Sequence, residues 1–284
     1  VSYMESMTRP GGDASSLGLE ANMKSASGTI SYPIYYGRDT AAFLRASLSW
    51  TDEIQHTNTS GEDIDLSHDR VTTIRFGTSI NKCAYGCTGI DFQFSRGLDI
   101  ASRSQSETGN GTPLSRSAAK SQFSHFVLNA NYKFSPHQNY EVALNAGGQY
   151  SFDNLLNSEQ AAITGYNKLS GFTSGSISGD EAWYFRGQIN RNYNLTNQIK
   201  ISPYVYGAAG VAYTLTPSAV ENRATAAKSI GLGMNIQGFD KYFFEKSISG
   251  RVEYSKNWAT GKIEDLSDVR LNKQHLLVSL AMNF

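Results

Sequence analysis

The sequence predicts an all-β protein, an antiparallel transmembrane β-barrel, from three observations. The first is a period of two in side-chain polarity, which a strand with one apolar and one polar surface requires. The second is a last strand that ends on an aromatic residue, and the third is the lack of any run of about 18 apolar residues, the length that a transmembrane helix needs. Spanning would then require a closed barrel, since an open sheet edge does not survive in lipid. At the end of the chain one face carries Leu276, Val278, Leu280, Met282 and Phe284, and the other carries Leu277, Ser279, Ala281 and Asn283.

Composition favours a barrel over a soluble fold. Of the 284 residues, 39% are hydrophobic and the mean hydropathy is −0.38, which is low for a soluble core of this size. A barrel tolerates this composition because its lumen is polar and only alternate residues meet lipid. The 16 Tyr and 14 Phe residues match the aromatic girdles at the two membrane interfaces. An aromatic-rich soluble β-sandwich is the alternative.

Strand-like segments follow one another along the chain, and the connections between them alternate in length. Short connections lie at 37–40, 83–87, 135–138, 195–198 and 239–245, and long ones at 52–68, 98–120, 153–180, 214–223 and 260–270. Short turns face the periplasm and long loops face outside in transmembrane barrels. We predict about twelve full strands and a stub, at 1–8, 14–23, 26–36, 41–52, 69–82, 87–98, 121–134, 139–152, 181–193, 199–213, 225–238, 246–259 and 271–284.

The segment 139–152 shows which face of a strand meets lipid. Val142, Leu144 and Tyr150 alternate with polar residues that include Glu141 and Gln149. Placing a carboxylate or an amide in hydrocarbon is costly. We therefore predict that the apolar set points outward and that Glu141 and Gln149 point into the lumen.

Charge and titratable residues argue against two other classes of protein. The 25 Lys and Arg residues balance the 25 Asp and Glu residues, and no basic stripe indicates nucleic-acid binding. The five His residues are scattered, without the spacing of a zinc site or of a Ser-His-Asp arrangement. We predict neither a catalytic site nor a cofactor or metal site.

The two cysteines, Cys83 and Cys87, flank a predicted tight turn. In an oxidising periplasm such a pair is interpreted as a disulfide that staples the hairpin. A pair of free thiols is the alternative.

Residues 163–190 resemble a characteristic segment of the ShlB/FhaC/HecB haemolysin secretion/activation family, the outer-membrane half of two-partner secretion. The family pattern contains VRGF, then SGD, then a strand with W-Y-x-R. Leu169, Gly171 and Phe172 match the first block, and the rest match in order: Gly175, Ser178, Gly179, Asp180, Trp183, Tyr184 and Arg186. Further along, residues 203–210 resemble the PF-x-F-x-DAG strand of the family.

The resemblance implies an outer-membrane transporter that secretes or activates an exoprotein through its pore, with a 16-stranded barrel preceded by two periplasmic POTRA domains. Its implied partners are the unfolded exoprotein in transit, outer-membrane lipid and the barrel-assembly machinery, for which Phe284 would be the terminal signal. We expect residues 1–284 to be the barrel domain alone. The chain begins without the features of a signal peptide, so we expect a mature product or a fragment.

The family loop folds into the pore, where its arginine pairs with the aspartate of the DAG strand. Here those positions are Ser170 and Ala208. By resemblance, we expect residues 153–180 to turn into the lumen, with Leu169, Ser170, Gly171 and Phe172 near a wall strand that carries Tyr206, Ala208 and Gly210, while Gly179 and Asp180 end the loop. Losing both charges together is close to neutral, whereas losing one is costly. The paired loss indicates a divergent contact, with Phe172 supplying packing, and drift in a degenerate copy is the alternative.

Two functional hypotheses follow. The first is a transporter of the two-partner-secretion type. The second is a passive or structural outer-membrane barrel without transport activity.

Overall fold

The fold, taken from a computed structural model, is one antiparallel sheet with a small hairpin on its inner face. The structure describes residues 1–8, 18–59, 62–104, 111–196, 199–218, 221–239, 247–260 and 274–283. The sheet has 13 strands. They are β1 (Ser2–Thr8), β2 (Leu19–Tyr36), β3 (Thr40–Thr59), β4 (Glu62–Cys83), β5 (Gly86–Leu98), β6 (Ser124–His137), β7 (Tyr140–Ser151), β10 (Glu181–Arg191), β11 (Tyr193–Asn194), β12 (Ile199–Tyr213), β13 (Ala224–Phe239), β14 (Ser247–Thr260) and β15 (Gln274–Asn283). The hairpin pairs β8 (Ala161–Ala162) with β9 (Ser178–Gly179).

Each long strand pairs antiparallel with the next long strand in the chain. The order is β1-β2-β3-β4-β5-β6-β7-β10-β12-β13-β14-β15, with the short β11 also paired to β12. This confirms the predicted all-β, antiparallel class. Among the described residues β1 and β15 are not paired with each other, so the sheet is open along that seam.

Two predictions about the early strands are wrong. The segments 14–23 and 26–36 were predicted as separate strands, but β2 runs unbroken through Ser25 and Ala26, which pair with Thr51 and Trp50 of β3. The physical reason is that these residues include no Gly or Pro to form a turn. Residues 14–17 lie outside the described part of the chain.

The segment 52–68 was predicted as a long loop, but β3 and β4 extend through most of it. Its polar residues pair across the strands instead of ending them. Asp52 accepts a 2.6 Å contact from His68 Nε2 and a 2.8 Å bond from Arg70 Nε. Opposite charges that face each other across two strands stabilise their pairing. A polar composition therefore does not by itself predict a loop.

The two faces of the sheet differ as the alternation predicted. Tyr150 is 45% exposed, whereas Gln149 beside it is 4% exposed. The Gln149 amide donates to the carbonyls of Glu159 and Asp180, and Glu141 accepts a 3.2 Å bond from Asn190, which is buried. We call the face that carries Gln149 the inner face.

The core lies on the inner face in two clusters. The rim cluster, at the end with the long loops, joins residues from β4, from 114–123 and from 155–156: Val71, Leu114, Ala119, Phe123, Leu155 and Leu156. The wall cluster packs residues of the connection between β7 and β10 against later strands: Ile163, Leu169, Phe172, Ile177, Ala182, Tyr204, Tyr206, Ala208, Ala212 and Ala227. In the described residues, no helix is both long and apolar enough to cross a membrane.

Candidate functional site

The candidate site is the segment between β7 and β10, residues 152–180, which we call the inner loop. Its two ends pair as β8 and β9, and Ile163 N donates to Ile177 O at 3.0 Å to extend this pairing. Leu169 N then donates to Ile163 O, and Phe172 N donates to Leu169 O, which closes the tip. The inner loop is therefore a hydrogen-bonded hairpin with its own tip at 165–176.

Asp180 holds the base of the inner loop. It is completely buried, and its Oδ1 accepts bonds from Arg116 Nη1 at 2.6 Å and from Leu155 N at 2.9 Å. Its Oδ2 accepts a 2.9 Å bond from Leu215 N. A carboxylate bonded in this way joins three of the long connections at one rim, so the Asp180 of the matched pattern has a structural role here.

Gly179 lies beside Asp180 in close contact with β12. A Cβ added at Gly179 would lie 2.5 Å from the carbonyl oxygen of Tyr213. A backbone atom cannot move aside as the end of a flexible side chain can, so the base of the inner loop accepts only glycine at this point.

The apolar side of the tip packs on β12. Leu169 and Phe172 share the wall cluster with Tyr206 and Ala208, and all four are buried. Gly210, also on β12, leaves space for Ile163, whose Cβ would be 3.3 Å from a Cβ at that position. The structure therefore brings the tip residues to the strand that the resemblance indicated, with Phe172 among the packing residues.

Ser170 occupies the arginine position of the family pattern, and it makes a polar contact instead of an ion pair. Its hydroxyl donates to Glu253 Oε1 on β14 and accepts from Arg186 Nη1 on β10. Arg186 Nη1 also donates to the carbonyl of Lys168 at 3.2 Å. Burial lowers the pKa of the Lys168 ammonium, which donates to Ala162 O at 2.7 Å.

The charged side chains that bond Ser170 lie on the strands of the sheet, which we call the wall. We call Tyr204, Arg186, Arg251 and Glu253 the charge cluster. Glu253 Oε2 accepts from Arg251 Nη2 at 2.6 Å, from Tyr204 OH at 2.6 Å and from Arg186 Nη2 at 3.1 Å. Arg186 is 0% exposed, Glu253 1% and Arg251 5%. Two buried guanidinium groups thus share one carboxylate.

Aromatic rings complete the surroundings of the two arginines. The Arg186 guanidinium lies 3.6 Å from the ring centroid of Tyr206. The Arg251 guanidinium lies 4.5 Å from the ring of Tyr166, at the tip of the inner loop. The first contact joins two wall strands. Only the second joins the tip to the wall, and because Tyr166 is 64% exposed, it belongs to the weaker, solvated cation–π contacts.

Gly171 is fixed by close approach to β13 and β14. Its carbonyl accepts a bond from the amide of Asn257. A Cβ at Gly171 would overlap the Asn257 side chain and lie 2.6 Å from Ser229 Oγ. Both neighbours are buried, so neither can swing away, and the tip requires glycine here.

Sequence reasoning did not assign the charge cluster. Alternation placed Arg251 and Glu253 on one face of their strand, and Arg186 was part of the matched pattern, but their meeting depends on the register across β10, β12, β13 and β14. In that register Glu253 lies opposite Gly233, which lies opposite Tyr204. Polar or charged side chains on the inner faces of several neighbouring strands are the sequence feature that could have predicted the cluster.

The remaining predicted residues lie away from the inner loop. Cys83 and Cys87 are bonded as a disulfide across the β4–β5 turn, with a Cα–Cα separation of 4.0 Å. Phe284, the expected terminal signal, lies outside the described residues. In the part of the chain that the structure describes, no group of three or more His, Cys, Asp and Glu residues could hold a metal ion.

Comparison with known proteins identifies the family. The haemolysin secretion/activation proteins ShlB/FhaC/HecB match residues 11–234 of this chain. The chain belongs to this family. A search of curated protein sequences found no match.

Solved structures show the same fold. The chain is similar to CdiB from Escherichia coli, with a TM-score of 0.71, 16% sequence identity, and alignment over 93% of this chain and 45% of that chain. It is also similar to CdiB from Acinetobacter baumannii, with a TM-score of 0.61, 13% identity, and alignment over 93% of this chain and 43% of that chain. The chain therefore spans less than half the length of these proteins. These two structures share with the chain the fold of its antiparallel sheet.

Proposed function

We propose that residues 1–284 form the barrel domain of a transporter that passes an unfolded exoprotein across the outer membrane, and that the inner loop closes the lumen at rest. The observation that carries the proposal is the tip of the inner loop, which is held on the inner face by Ser170, Gly171 and Phe172 through contacts to β10, β12, β13 and β14. A loop that only decorated the surface would not need buried polar partners on the wall. Such partners fit a loop that closes the lumen and is displaced by cargo.

The inner face suits an extended chain in transit. Its buried side chains include amides and hydroxyls at Gln149, Asn190, Ser202, Ser229 and Asn257. These groups can exchange hydrogen bonds with a passing backbone, which must satisfy its own donors and acceptors. The transport step makes and breaks no covalent bond, so we assign no catalytic residue and no cofactor.

The partners in this proposal are the exoprotein, the lipid around the outer face and the barrel-assembly machinery. The exoprotein would pass as an unfolded chain that takes the place of the displaced inner loop. Insertion by the assembly machinery would use the last strand and Phe284.

A reversible crosslink tests the gating role of the inner loop. Gly171→Cys with Asn257→Cys removes the amide that an added Cβ at Gly171 would overlap. The present Asn257 Cγ lies 2.6 Å from that Cβ, so the two new thiols lie within the reach of a disulfide. The background carries Cys83→Ser and Cys87→Ser. In the full-length protein, oxidation should abolish secretion of its partner exoprotein, and a reductant should restore secretion.

Planar-bilayer conductance of the same crosslinked protein is the second measurement. Oxidation should remove channel openings and reduction should return them, while each single-cysteine variant should not respond to the oxidant. A passive or structural barrel is the alternative function, and it gives equal conductance and no secretion in both redox states. That result would refute transport by this chain.

A further inference from the structure

Two lysines lie on the outer face of the sheet among apolar residues. Lys228 of β13 and Lys256 of β14 are both exposed, while the residues next to them, Ser229 and Ser255, are buried on the inner face. Ile230 is directly opposite Lys256 across the two strands. The alternation therefore directs both ammonium groups to the surface that meets lipid.

The two lysines lie at the end of β13 and β14 that carries long loops. On β13 the outward residues from Ile230 to Ile236 are all apolar, and Ile230, Leu232 and Ile236 are exposed, over about 20 Å of strand at roughly 3.3 Å per residue. Lys228 follows at the next outward position. The apolar band of an outer-membrane barrel is about 25 Å tall, and its loop side faces the cell exterior. The lysines therefore lie at the boundary of the outer leaflet.

Among the residues that the structure describes, no carboxylate lies within ion-pair distance of either lysine. Other cations on the early strands reach one, since Lys24 Nζ lies 3.3 Å from Glu5 and Arg70 Nε lies 2.8 Å from Asp52. In the described ranges neither Lys228 nor Lys256 forms an ion pair. Lys256 Nζ lies 5.5 Å from the ring centroid of Trp258, and Trp258 is the direct cross-strand neighbour of Lys228.

An apolar groove crosses the outer face beside Lys228. It is lined by one row of residues across four strands, Phe185, Ala209, Lys228 and Trp258, and by Gly207 and Ile230 of the next row. Small residues on β12 form the floor between larger side chains on β10 and β13. The groove combines a cationic end with an apolar surface, which complements an amphiphile that has an anionic headgroup.

We propose that Lys228 and Lys256 bind the phosphate headgroup of an anionic lipid in the outer leaflet, with one acyl chain lying in the groove. The proposal uses the outer-membrane location of the proposed function, but not its transport step. Electrostatic attraction of an anionic headgroup contributes about fivefold in affinity for each lysine near a membrane surface. The indole of Trp258 would lie at the level of the headgroup, as aromatic girdle residues do.

Native mass spectrometry of the purified full-length protein in detergent tests the site. The probe is bis-phosphorylated lipid A, compared with lipid A from which both phosphates have been removed. Lys228→Gln with Lys256→Gln should weaken binding of the phosphorylated probe about 25-fold, and Lys228→Arg with Lys256→Arg should retain it. Lys82→Gln is the matched control, because Lys82 is an exposed lysine at the opposite rim.

Three results would overturn the proposal: undiminished binding by the double Gln variant, equal loss in the Lys82 control, or equal binding of the dephosphorylated probe. Inorganic phosphate at millimolar concentration should not displace the lipid. Displacement would mean that the two lysines bind any phosphate and that the acyl chain contributes nothing, which also contradicts the proposal. Heat-modifiable gel mobility checks that each variant is folded. Secretion by the double Gln variant should be normal, so a failure of transport and a failure of lipid binding are separate results.

Discussion

Removing the charge of Glu253 is the most direct test of how the inner loop is held. Glu253→Gln keeps the size and shape of the side chain but leaves Arg186 and Arg251 without a carboxylate. In the native chain Glu253 accepts bonds from both arginines, from Tyr204 and from Ser170. Every bond that the carboxylate makes would be weakened or lost in the variant.

The size of the expected loss of stability follows from the burial of the two arginines. Arg186 and Arg251 are 0% and 5% exposed, so water cannot replace the lost counter-charge unless the inner loop moves. Breaking one buried ion pair by removing a partner costs about 3–5 kcal/mol. Because the tip can relieve this cost by lifting away, part of the effect should appear as local opening. We expect the free energy of unfolding to fall by about 3–5 kcal/mol and residues 165–176 to become accessible to protease.

The assay is urea unfolding in detergent micelles, followed by heat-modifiable gel mobility, with limited proteolysis under native conditions. Glu141→Gln is the matched control, because Glu141 also lies on the inner face and its hydrogen-bond partner there is Asn190, with no arginine bonded to it among the described residues. The control should change stability by less than about 1 kcal/mol. If Glu253→Gln and Glu141→Gln have equal effects, the charge cluster does not hold the inner loop, and the reasoning is wrong.

The remaining predictions concern the tip, the wall and the turn. Gly171→Ala should lower stability by about 1–3 kcal/mol through overpacking and raise protease cleavage of the tip, and unchanged cleavage would contradict the close approach. Ala208→Asp should be tolerated within about 1 kcal/mol in urea unfolding because Arg186 is directly opposite it on β10, whereas the same change at Ala212 should bury an unpaired charge and cost several kcal/mol. Without reductant, Cys83 and Cys87 should resist alkylation in intact membranes, and mass spectrometry showing two alkylated thiols would exclude the disulfide.

The faces of the strands could be predicted from sequence because lipid and lumen place opposite demands on neighbouring residues. Tyr150 and Gln149 differ by one position, and the structure places them on opposite faces. A one-residue slip would have placed every polar side chain of the strand in hydrocarbon. This constraint acts on each residue separately, so a single sequence reveals it.

The ends of the long strands could not be predicted in the same way. Outside the membrane a strand no longer needs an apolar face, and the hairpin of β3 and β4 continues with charged residues such as Asp52 and Arg70. Polar composition then describes a loop and a solvated hairpin equally well. Cross-strand partners decide between them, and these depend on the register of two strands.

Predicting the charge cluster from sequence requires still more information. Arg186 is opposite Ala208, which is opposite Ser229, while Glu253 lies four residues away from that row, opposite Gly233. The arginine reaches the carboxylate along the wall, over strands that are not its neighbours. Alternation fixes which face each residue occupies, but it contains no information about contacts between distant strands.

The replacement of the family arginine by Ser170 changes what opening the inner loop requires. With a cation on the loop, opening separates an ion pair and leaves charge on both sides. Here Glu253 has its own partners on the wall, Arg251 and Tyr204, so opening need not leave an unpaired charge on the loop. Ser170 makes two hydrogen bonds to charged groups, each contributing about 1.5–3 kcal/mol, so together they are comparable with the roughly 3–5 kcal/mol for separating a buried pair. The tip should therefore be held about as firmly as an ion-paired tip, but its open state should carry no unpaired charge on the loop.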